Sequence, residues 1–195
     1  MTYGKLKQKI LSLLDLKTET GVQNGSVYDA VISSMASAVD SAGRKIASSL
    51  KNLIKRTAAS FSADGDLVKT TVPAGYIALR YVLADGKNYS PSLFFVSDGY
   101  IVGSGVPIGA AEICYYSYPD SVENLSDSSA TDYDGTFFDL VSYGAALELC
   151  TEAYPSDFSR YAALATEYDE RMAGAFISGT GGRVENELYG KRSAL

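Results

Sequence analysis

The chain has 195 residues, a net charge of −6, 46% hydrophobic and 21% charged residues, and no histidine. This composition is that of an ordinary globular protein, one domain or one domain with an insertion and a tail. The missing histidine removes the commonest general base and metal ligand, and no apolar run approaches the roughly 18 residues that mark a membrane-spanning helix.

The N-terminus, MTYGKLKQKILSLLDLK, is broken by Lys7, Gln8, Lys9 and Asp15 and lacks a small-residue cleavage site. It reads as a first helix from Thr2 or Tyr3 to about Asp15, not as a signal peptide. A loop with Asn24-Gly25 turn chemistry follows, with Ser26 as an N-cap. From Val27 the apolar positions Tyr28, Ile32, Met35, Val39, Ala42, Ile46, Leu50 and Leu53 form a near-heptad seam about 30 residues long. Gly43 is where this long helix bends or breaks, if it does. From Phe61 the pattern becomes strand-like: Asp64-Gly65, Asp85-Gly86 and Asp98-Gly99 punctuate β-rich runs. The runs Leu67–Val72, Tyr76–Leu83, Leu93–Val96, Tyr100–Val102 and Ala111–Tyr118 predict an antiparallel sheet of about five strands.

Residues 120–136 are acidic and polar, with Leu125 as almost the only core former, and read as a linker or a surface loop that orders on binding. Helical spacing returns in Phe138, Val141, Ala145 and Leu149, with small residues around Gly144 that admit a close neighbour. Pro155 interrupts it, and Ser156 or Asp157 caps a last helix with the stripe Phe158, Tyr161, Leu164, Ala165, Tyr168 and Met172. The remainder, SGTGGRVENELYGKRSAL, reads as a flexible tail. The expected fold class is therefore α+β. A helical bundle, built from the long N-terminal helix and two C-terminal helices, carries an inserted antiparallel β-sheet and a flexible C-terminal arm. The segments are 1–60 for the N-terminal helices, 61–119 for the β region, 120–136 for the connector, 137–177 for the C-terminal helices and 178–195 for the arm.

Charge is unevenly spread, with nine Lys/Arg against four Asp/Glu in residues 1–60 and eight against nineteen in residues 61–195. Solvated faces of opposite sign account for this, as do opposite surfaces meeting between subunits or a basic part facing a polyanion. Cys114 and Cys150, isolated in apolar runs, read as buried free thiols, and the lack of a disulfide framework favours a reducing compartment.

Motifs for chemistry are weak. Gly179-Thr180-Gly181-Gly182 follows a helix instead of joining a strand to one, so its amides do not form a phosphate cradle. The carboxylates Asp120, Glu123, Asp127, Asp132, Asp134 and Asp139 lie mostly in the Ser-rich connector, where a solvated loop explains them better than an acid–base pair. Asp132-Tyr133-Asp134-Gly135 is a fragment of a calcium loop. Ser48-Ser49-Leu50-Lys51 has nucleophile–lysine spacing but falls on the long helix without a partner motif. No catalytic residue, cofactor or metal is assigned. The fifteen tyrosines, with Tyr115, Tyr116 and Tyr118 clustered, suit protein interfaces or a core better than base stacking, because no basic residues flank them.

The order of parts resembles the head-to-tail connector (adaptor) proteins of tailed bacteriophages. The resemblance is carried by Tyr28–Ser60, by Leu67–Tyr118 ending in Tyr115-Tyr116-Ser117-Tyr118-Pro119, by the acidic connector, and by Phe138–Tyr154 and Ser156–Met172. It covers most of residues 26–176 and is one of order and composition. It implies a non-enzymatic virion protein, made in the host cytoplasm and placed in the neck below the portal. Such a protein forms a homo-oligomeric ring, typically of twelve copies, and contacts the portal above and a tail or stopper protein below. Genomic DNA passes through the ring without sequence-specific binding or any membrane contact. On that basis the portal-binding arm is expected to use Val184, Leu188, Tyr189, Lys191 and Arg192. The subunit interface is expected to use Tyr115, Tyr116, Tyr118, Gly144, Tyr161 and Tyr168. The competing classes are a tail-completion or stopper ring and a carboxylate-dependent cell-wall glycan hydrolase.

Overall fold

The computed structural model describes residues 1–16 and 25–189, with 178–189 as backbone. The protein is α+β; the described residues form four helices and a curled seven-stranded antiparallel sheet, and they divide into two compact units. One is made of residues 1–50 together with those from 119 onward; the other is residues 51–118.

The first unit holds α1 (Tyr3–Leu13), α2 (Ser26–Leu50), α3 (Gly135–Ala153) and α4 (Phe158–Tyr189). Helix α3 packs against the other three, and its sequence explains why. Leu140, Val141, Ala145, Ala146, Leu149 and Cys150 are all buried, so apolar residues run round most of its circumference, as in a helix covered on all sides. Helix α2 is continuous through Gly43, without the break that glycine suggested. A Cβ at position 43 would lie 2.6 Å from the hydroxyl of Tyr133, so the glycine is there for close approach, not for bending. The buried stripe is Val31, Met35, Val39, Ala42 and Ile46, which leaves Ile32 of the expected seam 36% exposed.

The expected N-terminal helical segment to residue 60 is corrected: α2 stops at Leu50, where Lys51 takes a left-handed φ of 48°, and Ile54 opens a strand. Residues Ile54–Ser60 alternate exposed and half-buried, a period of two that a helix does not have.

The second unit holds β1 (Ile54–Asp64), β2 (Leu67–Thr71), β3 (Tyr76–Ala84), β4 (Lys87–Tyr89), β5 (Phe94–Ser97), β6 (Tyr100–Gly103) and β7 (Gly109–Ser117), in the order β4-β3-β7-β1-β2-β6-β5. Seven strands replace the expected five because β1 and the short β4 are added. Asp85-Gly86 and Asp98-Gly99 are two-residue hairpin loops with both φ positive, between Ala84 and Lys87 and between Ser97 and Tyr100. The curl follows from chain length. A flat seven-stranded sheet would hold its outer strands roughly 29 Å apart at about 4.8 Å per strand. Tyr89 of β4 and Phe94 of β5 are joined by Ser90 and the 3-10 turn Pro91–Leu93, which reach at most about 18 Å. Strand β1 makes the corner: residues 54–61 pair with β7 and 62–64 with β2. Inside the curl lie Phe61, Val68, Val82, Ile101, Ile113 and Tyr115.

The connector is not a free linker. Val122 and Tyr133 are 1% and 0% exposed, and the segment is hydrogen-bonded to α1 and α2. The expected flexible tail also differs, since the backbone continues α4 to Tyr189. Helix extension adds one hydrogen bond for each residue fixed. Each glycine opposes it by only ~1 kcal/mol.

Candidate functional site

In the helical unit the connector is latched by Asp40, the first turn of α1, the Met1 carbonyl and Lys7. Asp40 on α2 accepts the Val122 N–H at 2.9 Å and the Ser121 hydroxyl. The first turn of α1, whose N–H groups have no partner inside the helix, donates from Tyr3 to Ser129 O (3.0 Å) and from Gly4 to Asp127 O (2.9 Å). Thr131 N–H reaches Met1 O at 2.8 Å, and Lys7 pairs with Asp127. A Cβ at Gly4 would stand 2.8 Å from Asp127 O, so glycine permits this seam. Two of the connector carboxylates thus have structural partners: Asp127 pairs with Lys7, and Asp132 Oδ2 accepts the Asp120 N–H at 2.8 Å. Among the described residues no group of three or more His, Cys, Asp or Glu could hold a metal ion.

Tyr133 is the centre of this latch. Its ring meets Phe137 edge-on at 5.2 Å, and its buried hydroxyl has no hydrogen-bond partner. Burial, and after it the nearby charges of Asp40 and Asp132, raise its pKa far above the ordinary tyrosine value. Sequence reasoning missed it because it stands among acidic and small polar residues; the available signal was an aromatic in a run otherwise without one.

The corner between α3 and α4 is a fixed platform. Tyr154 donates its hydroxyl to Leu14 O at 2.5 Å, and the Arg160 guanidinium lies 4.2 Å from the Tyr154 ring and pairs with Asp15. Asp157 accepts the Ser159 hydroxyl (2.7 Å) and the Arg160 N–H (3.1 Å). These two bonds, the Ser159 one first, hold its carboxyl below the usual range. Phe158 and Tyr161, 82% and 42% exposed, stand on this braced corner. Phe158, expected in the apolar stripe, lies in solvent; of the α4 side chains described, Leu164 and Tyr168 are buried.

The residues expected at a subunit interface divide. Tyr115 is 5% exposed inside the curled sheet and stacks on Tyr76 with 5.9 Å between ring centroids. Gly144 is buried where a Cβ would meet Ala42 at 3.1 Å and Tyr168 at 3.2 Å, and Tyr168 itself is 6% exposed. The close approach read as self-association is thus internal for these three: α3 meets α2 and α4 of its own chain. Tyr116 and Tyr118 are half-buried on or just after β7, and Tyr161 faces solvent. Of the expected arm, Val184 and Leu188 stand four residues apart on the α4 backbone and Tyr189 ends it. Lys191 and Arg192 lie outside the described residues.

In the β unit a cleft of about 620 Å³ opens where β1 parts from β2 beyond the Ser62–Lys69 pair. Thr57, Ser60 and Ser62 line one side, Thr70, Thr71 and Pro73 the other, with Ile113 and Tyr115 also on the wall. Lys69 at its rim pairs with Asp64 (3.1 Å) and lies 5.3 Å from the Tyr100 ring. Hydroxyls together with Tyr100 and Tyr115 can hold a polar ligand or an extended chain. Cys114 and Cys150 are free and buried, and burial raises the Cys150 thiol. Among the described residues no helix is long and apolar enough to cross a membrane. Compared with known proteins, the chain matches no family model and no curated protein sequence.

Proposed function

We propose that the protein is a head-to-tail adaptor of a tailed bacteriophage, a non-enzymatic ring subunit of the virion neck that sits below the portal and continues the DNA channel. In this reading α2, α3 and α4 form the bundle, residues 51–118 are its inserted sheet, and the segment from Ser178 is the arm that docks on the portal. One observation carries the reading most. Helix α4 runs 32 residues, about 48 Å at 1.5 Å per residue; its last buried side chain among those described is Tyr168, and Arg171 still packs on Tyr143 of α3, 4.3 Å from the ring centroid. Helix α4 is 13 residues longer than the 19-residue α3 on which it packs, and that surplus length suits an element that also binds elsewhere. The braced, exposed Phe158 and Tyr161, with half-buried Tyr116 and Tyr118, are then the contacts between neighbouring subunits. An acidic protein around a channel repels the passing duplex and keeps it from sticking.

The test is electron microscopy of the purified protein mixed with portal rings, for the full chain and for a chain lacking residues 178–195. The expected result is a ring on the portal with the full chain, and loss of attachment on truncation with the circular dichroism spectrum and melting temperature of residues 1–177 retained. Attachment that survives the truncation overturns the arm. A ring that binds tail tube and not portal favours tail completion instead.

A further inference from the structure

Strand β1 changes partners at its corner, so the edge that pairs with β2 at residues 62–64 has no strand on it from 54 to 60. The register decides which backbone groups lie on that edge. Ser117 N–H donates to Leu53 O, so the odd residues of β1 turn their N–H and C=O to β7 and the even ones turn away from it. Ala58 and Ser60 are therefore open on the outer edge. On β2, Val72 N–H donates to Gly99 O, so Thr70 and Val72 turn to β6 and Thr71 turns to β1. Ser60 and Thr71 would be the next bonded pair after Ser62 and Lys69, yet the pairing ends before them. Their main-chain groups instead border the cleft of about 620 Å³.

The two faces of the cleft differ. Odd positions of β1 face the interior of the curl, so Thr57 and Ala59 line an inner wall with Ile113 and Tyr115. Arg56, on the outer face, is exposed and comes no closer than 3.8 Å to Glu112. Lys69, which also holds Asp64, stands on that outer face across the split, its neighbours Val68 and Thr70 being buried. Backbone donors and acceptors repeating every second residue match an extended polypeptide, which is how peptides add to open sheet edges.

We propose that this cleft binds an extended segment of a partner protein, which adds to β1 as a strand alongside Ala58 and Ser60. Its inward side chains are small and apolar, over Ile113 and Tyr115. Its outward ones are acidic, beside Arg56 and Lys69. About four residues of the segment fit, because residues 57–60 of the cleft wall span roughly 13 Å at 3.3 Å each. This site stands apart from the adaptor reading and requires neither a ring nor a portal.

The test uses the full chain and a fluorescein-labelled probe, the peptide Val-Asp-Val-Asp-Val-Asp, followed by fluorescence anisotropy. Saturable binding is expected, with the amide NMR signals of Ala58, Ser60 and Thr71 shifting most. The counter-probe Val-Lys-Val-Lys-Val-Lys should bind about tenfold more weakly. Two further probes are N-methylated at alternate residues, one at the valines and one at the aspartates, which removes every second N–H and keeps the side chains. At least one of them should lose about tenfold or more in affinity. Ala58→Pro takes away an outward N–H while leaving the bonds to β7, and should weaken binding about tenfold with an unchanged circular dichroism spectrum. No binding at millimolar probe, or binding of both N-methylated probes as tight as that of the parent, overturns the proposal whether or not the proline variant folds.

Discussion

Tyr133 is the largest fully buried side chain, and its hydroxyl is the one buried side-chain polar atom without a partner among the described residues. Desolvating a hydroxyl without replacing its hydrogen bond costs about 1–3 kcal/mol, so Tyr133→Phe is expected to stabilise the fold by roughly 1 kcal/mol, read as the midpoint of urea unfolding. The same site sets a pH dependence. The raised pKa means that the folded state holds the neutral phenol more tightly than the unfolded chain does. Its contribution is fully present below the unfolded value of about 10 and is lost as pH rises above it. Stability should therefore fall above pH about 10, and less steeply in Tyr133→Phe. The slope should not vanish, because burial also raises Tyr3, Tyr76 and Tyr168. An unchanged slope in the variant would remove Tyr133 as its source.

At the scale of elements, the connector shows how a polar segment is ordered without a core of its own. Its apolar contribution is mainly Val122 and Tyr133, and the rest is hydrogen bonding to the otherwise unmatched first turn of α1 and to Asp40. Bonds to an ionised carboxylate contribute about 1.5–3 kcal/mol. Asp40→Ala should lower stability by roughly 2 kcal/mol and expose residues near Ser121 to limited proteolysis, with the helical content unchanged. Protection equal to that of the parent chain would show that the α1 contacts suffice. Helices α1, α3 and the start of α4 were legible in the sequence because each has either one apolar stripe or a proline stop. The far end of α2 was not, because Leu53 and Ile54 extend the helical spacing by chance while Lys51 has already left it.

At the scale of the whole molecule, residues 51–118 enter and leave at one place. Ser117 N–H donates to Leu53 O at 2.9 Å, and Ile54 pairs with Tyr116. A segment with adjacent ends and its own cluster around Phe61, Ile101 and Ile113 is expected to fold when excised, giving an antiparallel β circular dichroism spectrum and a cooperative, low-temperature melt, since domains this small are marginal. A non-cooperative melt would refute its independence. The sequence by itself determined the α+β class, the antiparallel hairpins at the Asp-Gly pairs and the burial of both cysteines, because period, turn chemistry and hydrophobicity are local. Only the tertiary structure decided three other features. It set Gly43 and Gly144 against neighbours in their own chain, seated the acidic connector on Asp40, and left Phe95 and Val96 of the end strand β5 exposed. Each of these depends on which distant segments meet, and local spacing carries no record of that.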